Sequence, residues 1–123
     1  MFGFVSPQRQ AVVKLQVFGR LQNAEIEVVV DTGFNGFLTL PTALIEQLNL
    51  ETVGSVLVEL ADGSETFVRS FETTVLWNEA EQLIRIQETA GMPLLGMRLL
   101  EDHEVHIQVR DGGIVEIQPL EIT

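Results

Sequence analysis

The sequence predicts a mainly β fold with one or two short helices, on three observations. Apolar residues recur at period two along most of the chain, glycine-bearing turn signals separate these runs, and helical spacing is confined to two short stretches. Residues 11–18 (AVVKLQVF) and 24–30 (AEIEVVV) read as strands around a turn from Gly19 to Asn23. The second ends in Val28-Val29-Val30, the pattern of a strand buried on both faces, and leads directly into Asp31. After the loop from Asp31 to Gly36 and a short apolar run, Pro41, Leu44, Ile45 and Leu48 form one helical stripe, with proline in the first turn. From residue 53 the strand pattern returns. Val56, Val58 and Leu60 alternate up to Ala61-Asp62-Gly63-Ser64, and a long strand-like stretch runs from Glu65 to Trp77. Asp62-Gly63 between two such runs predicts a hairpin with a tight primed turn. Residues 82–88 form a further strand after a turn at Asn78 to Glu81, and a short helix is expected from Met97 to Glu101. The chain closes with a hairpin in which Val105, Ile107 and Val109 precede Asp111-Gly112, followed by Val115 and Ile117. Seven or more strands with so little helix indicate a sandwich or a barrel.

Composition narrows the chemistry. The 123 residues suit one domain spanning 1–123, with no linker or low-complexity run to divide it. Cysteine is absent, which removes thiolate nucleophiles, thiolate metal sites and disulfides, and two histidines leave little for a histidine-rich metal centre. Seven basic against 18 acidic residues give a net charge of −11, repulsive to phosphate backbones and anionic membranes. No export signal or bilayer-length apolar run is present, so a cytoplasmic protein is expected, with no nucleic-acid or membrane partner. Mean hydropathy is nonetheless +0.24, a hint that a second chain covers some apolar surface.

Asp31-Thr32-Gly33 concentrates a carboxylate, a hydroxyl and a glycine in one loop after an apolar strand; the same three residues also suit an ordinary turn. Other candidates carry less. His103 and His106 point to opposite faces of a strand and read as a solvated pair, Glu79 and Glu81 flank a turn, and Trp77 suits a core or interface anchor. Ser64 and Ser70 have no base in prospect. Val56, Val58, Phe67 and Val68 suit either the walls of a peptide groove or a structural core.

In order along the chain stand Val28-Val29-Val30 with Asp31-Thr32-Gly33, a hairpin with a glycine tip at Asp62-Gly63, and Pro93-Leu94-Leu95-Gly96-Met97 leading into a short helix. This succession resembles the retropepsin-like (retroviral-type, clan AA) aspartic peptidases, and VVVDTGFNGFLTLP is similar to small prokaryotic predicted members. The resemblance covers roughly residues 11 to 118. It implies a retropepsin-like acid-protease barrel and an aspartic endopeptidase acting as a homodimer, in which two Asp31 carboxylates activate water against peptide or protein substrates without a cofactor or metal. It further implies active-site support from Thr32, Gly33 and Gly96, a flap at Ala61, Asp62 and Gly63, and substrate binding by Phe34, Val58 and Val68. Terminal segments 1–10 and 114–123 would interleave with a partner's and cover the approach strand and the Thr32 loop, which a monomer would leave at an exposed edge. Two departures from the family are Phe34, where a small residue is usual, and the absence of tyrosine. A non-catalytic peptide-binding or dimerisation module on the same fold is the alternative, and a metal-binding β protein using clustered acids a third.

Overall fold

A computed structural model of the chain describes residues 1–121. Ten strands and two short helices follow one another as β1 (Phe2–Val5), β2 (Ala11–Phe18), β3 (Asn23–Val30), β4 (Leu38–Pro41), α1 (Thr42–Leu48), β5 (Glu51–Glu59), β6 (Glu65–Trp77), β7 (Ala80–Thr89), β8 (Leu94–Leu95), α2 (Met97–Leu100), β9 (His103–Ile107) and β10 (Ile114–Pro119). The fold is mainly β, as the period-two pattern requires. All ten strands join one sheet in the order β5-β6-β7-β4-β8-β3-β2-β1-β10-β9, and a pairing of β2 with β6 returns that sheet onto itself. Alternation sets which face is buried. On β2, Val13, Leu15 and Val17 enter the core while Lys14 stays in water, and on β7 Ile84 and Ile86 are buried with Arg85 outside. Ile45 and Leu48 of α1 join the same core, and Asn49 ends that helix in the left-handed conformation.

Several expectations need correction. Pro41 is the N-cap of α1 and the last residue of β4, not a first-turn residue, because its backbone is still extended (ψ 150°) and in register with Thr89. The Asp62-Gly63 turn is not a two-residue primed turn. Leu60 donates its N–H to Ser64 O at 2.7 Å, Gly63 donates to Leu60 O at 2.9 Å, and Gly63 has a positive φ (85°), so three residues cross the tip. The two positive φ angles of a primed turn occur instead at Asn78 (46°) and Glu79 (69°), between the paired residues Trp77 and Ala80. Glu79 therefore holds a conformation that costs an ordinary side chain about 1–2 kcal/mol. Glu79→Gly is expected to raise the unfolding free energy by about 0.5–1 kcal/mol, after the larger unfolded-state entropy of glycine is subtracted. Urea denaturation measures it.

The termini also differ from expectation. β1 pairs with β2 on one edge and β10 on the other, and the Met1 ammonium donates to Ile117 O at 2.9 Å. Both edges of β1 are thus satisfied within the chain and are not open to interleave with a partner; residues 122 and 123 lie outside the described residues. The approach strand is not an exposed edge either, since β3 lies between β2 and β8.

Candidate active site

β3 delivers Asp31 to the site and the backbone locks it there. Val29 donates its N–H to Pro93 O and Asp31 donates to Leu95 O, each at 2.9 Å, while Val29 and Val30 pair in parallel with Leu94 and Leu95. Val28 and Val29 are buried and Val30 is half-buried, so the apolar run anchors the strand just before its polar end. The chain then turns. The Asp31 carboxylate accepts the Gly33 N–H at 2.9 Å, and the Asp31 carbonyl accepts the Phe34 N–H at 3.2 Å. Asp31 is half-buried, with Thr32 and Gly33 exposed beside it.

The loop from Asp31 to Gly36 is tied down by the start of α2. The first N–H groups of a helix have no partner inside it. Here Met97 donates to Phe34 O at 2.8 Å and Arg98 to Gly36 O at 3.1 Å, while Gly96 just ahead donates to Phe37 O at 3.0 Å. This crossing requires glycine: a Cβ at Gly96 would lie 2.2 Å from Gly36 O and 2.6 Å from Phe34 Cδ2. A Cβ at Gly36 would lie 2.5 Å from Phe34 Cζ, so the Phe34 ring lodges where two side chains are missing.

Asp31 and Phe34 line different hollows. Asp31 borders one of about 400 Å³ whose wall mixes apolar side chains, among them Val5, Leu94, Ile107 and Val109, with Arg9 and Gln10. Phe34 borders one of about 540 Å³ beneath the β5–β6 hairpin, with Val58, Leu60 and Val68 in its wall. Val56 lines the adjoining pocket, whereas Phe67 is 72% exposed, which corrects the reading of it as a core residue. The hairpin tip, Ala61-Asp62-Gly63, is exposed. Asp62 accepts both the Oγ–H and the backbone N–H of Ser64, and these bonds hold its carboxyl below the ordinary value.

The base of the hairpin is fixed by charge. Arg69 makes a two-pronged contact with Glu88 on β7, with Nε–Oε1 at 2.9 Å, and Glu88 also accepts the Thr42 hydroxyl at 2.8 Å. The hydrogen bond from Arg69, and then that from Thr42, keeps the Glu88 carboxyl below its ordinary value of 4.5. A depressed acid contributes stability that is complete above its unfolded value and lost as pH falls through the folded one. Exposure of Arg69 keeps this contribution small. Glu88→Gln is therefore expected to flatten the fall of the urea midpoint on acidification below about pH 4.5, the unfolded-state value at which the loss begins.

The remaining candidates are dispersed. Trp77 is 5% exposed, with its ring 5.4 Å from that of the half-buried His103. His106 is exposed and lies 3.4 Å from Glu104. Among the described residues no three His, Asp or Glu side chains converge as a metal site. Sequence reasoning missed two groups. Buried Thr39 accepts the Leu94 N–H at 2.8 Å, tying β4 to the strand beside Asp31, and its only signal is a hydroxyl inside the apolar run FLTLP. Arg85 and Arg98 border one pocket, a proximity invisible in a sequence that places them on separate elements.

Comparison with solved structures gives the same fold. The EIAV protease complexed with the inhibitor HBY-793 superposes with a TM-score of 0.64 at 16% identity, covering 78% of this chain and 89% of that one. A retropepsin-like aspartic protease from Rickettsia conorii superposes at 0.60 with 18% identity, covering 96% and 90%. The foamy viral protease-reverse transcriptase matches at 0.50 and 15% identity over 91% of this chain and 13% of that one. No family model and no curated protein matches the sequence. The chain has a retropepsin-like fold, and its structural neighbours are aspartic proteases.

Proposed function

We propose that the chain, as one retropepsin-like domain, forms a homodimeric aspartic endopeptidase. The observation that carries this reading is the placement of Asp31 on that fold. Its carboxylate stands at the end of a buried strand, oriented by the Gly33 N–H and held between two backbone ties, beside a hollow of mixed apolar and polar lining. One carboxylate cannot act as base and acid in the same step, so a second Asp31 must come from a second copy. Two carboxyl groups in contact resist double ionisation and share one proton. The charged member takes a proton from water, the protonated member donates to the scissile carbonyl, and water attacks without a covalent intermediate. Thr32 bonds across the axis, Gly33 leaves room for the substrate backbone, and Gly96 allows the crossing behind the loop. The Ala61-Asp62-Gly63 hairpin closes over an extended peptide, with Phe34, Val58 and Val68 against its side chains.

Because β1 is fully paired inside the chain, the contact between copies falls on the surface around Asp31, where Ile107 is 40% and Val109 73% exposed. Peptide cleavage per chain is then expected to fall as the protein is diluted through its dimer dissociation constant. Excess Asp31→Asn chain is expected to poison the wild type by forming mixed dimers. A rate per chain that ignores both dilution and the added variant would show that one copy suffices and refute the dimeric site.

A further inference from the structure

The basic residues of this chain are few and mostly neutralised or isolated. Of seven, Lys14, Arg20 and Arg69 are paired with Glu25, Glu51 and Glu88. Arg85 and Arg98 have no carboxylate within salt-bridge distance among the described residues, yet both border one pocket of about 290 Å³. Its polar lining is completed by Asn35, Ser70 and Gln87, and no acidic side chain forms part of it. Glu72 faces Arg85 across the β6–β7 pairing but makes no ion pair with it. In a protein of net charge −11, an acid-free hollow with two unpaired guanidinium groups is an exception that the overall composition does not explain.

Position gives this exception a use. Asn35, Gly36 and Gln87 border both this pocket and the hollow beneath the hairpin, so the two adjoin. Both arginines stand on anchored backbone. Arg85 projects from the paired strand β7, while the Arg98 backbone bonds Gly36 O at 3.1 Å and its guanidinium lies 5.8 Å from the centre of the Phe37 ring. The planar forks of two arginines match a carboxylate, and Gln87 and Asn35 supply further donors.

We propose that Arg85 and Arg98 form a specificity subsite for an acidic side chain of the substrate, located beyond the apolar positions next to the cut. The inference rests on the peptidase reading of the Asp31 site, and its test separates the two. Ten-residue peptides, acetylated and amidated so that no terminal charge competes, carry Glu, Gln or Lys at each position in turn. Binding is measured by fluorescence anisotropy to the Asp31→Asn chain, which needs no turnover, and cleavage is measured with the wild type. One position is expected to favour Glu over Gln by about tenfold and to disfavour Lys, with the preference weakening as salt is raised. Arg85→Gln/Arg98→Gln is expected to erase that preference while leaving the affinity for the all-Gln peptide within about twofold, which a misfolded variant would not do. Arg98→Glu is expected to turn the preference toward Lys. Equal binding of Glu and Gln peptides at every position, or a Glu preference that survives the double substitution, overturns the subsite. Glu-selective binding without cleavage by the wild type would uphold the subsite and refute the peptidase reading.

Discussion

Asp31→Asn is expected to lower peptide hydrolysis by about a thousandfold or more, since it removes the groups proposed as both base and acid. The substitution is nearly isosteric, and the asparagine oxygen still accepts the Gly33 N–H that Asp31 accepts at 2.9 Å. Stability is therefore expected to stay close to that of the wild type, so the lost rate is chemical. In the wild type, the proposed pair, working only with a single shared proton, is expected to give a bell-shaped dependence of kcat/KM on pH, on the acid side of neutral. Cleavage that continues in the Asn variant at the wild-type rate would remove Asp31 from the chemistry.

A methyl group at Gly96 is expected to be as damaging, for a different reason. Gly96→Ala places a Cβ, fixed by the backbone, 2.2 Å from the Gly36 carbonyl oxygen, so no rotamer change relieves the clash. The expected loss is about 3 kcal/mol or more, enough to unfold a marginal domain, and chemical denaturation reads it directly. Gly33→Ala makes the contrast. Its Cβ meets only the Asp31 carboxylate, at 3.2 Å and on the exposed side of the loop. There the unfolding midpoint is expected to move little while activity falls, because the atom pressed upon belongs to the carboxylate proposed to react. Equal stability of the Gly96 and Gly33 variants would contradict the close crossing of α2 over the Asp31–Gly36 loop.

The relation between this sequence and its fold is uneven, and the pattern has a physical cause. The strands Ala11–Phe18 and Glu65–Trp77 are bounded as their period-two runs are, because each presents an alternating apolar face that only an extended chain can bury. The two-residue strand Leu94–Leu95 is too short to show a period, and Phe2–Val5 has only four residues in which to show one. At Asp62-Gly63 the residue preference for φ was legible, but loop length was set by where Glu59 and Glu65 pair. Conversely, Glu79 takes a positive φ that its own preference opposes, because the long β6–β7 ladder fixes the turn between Trp77 and Ala80.

By itself, the order of residues determined the β class, most strand limits and the delivery of Asp31-Thr32-Gly33 from an apolar strand, all of which depend on neighbours along the chain. Only the tertiary structure decided which edges pair, and so closed β1 between β2 and β10. It also set Gly96 against Gly36, lodged Phe34 between them and brought Arg85 to Arg98. Alternation says which face of a strand is apolar but not which strand lies beside it. That choice comes from satisfying every backbone donor and filling one shared core, and both are properties of the whole chain.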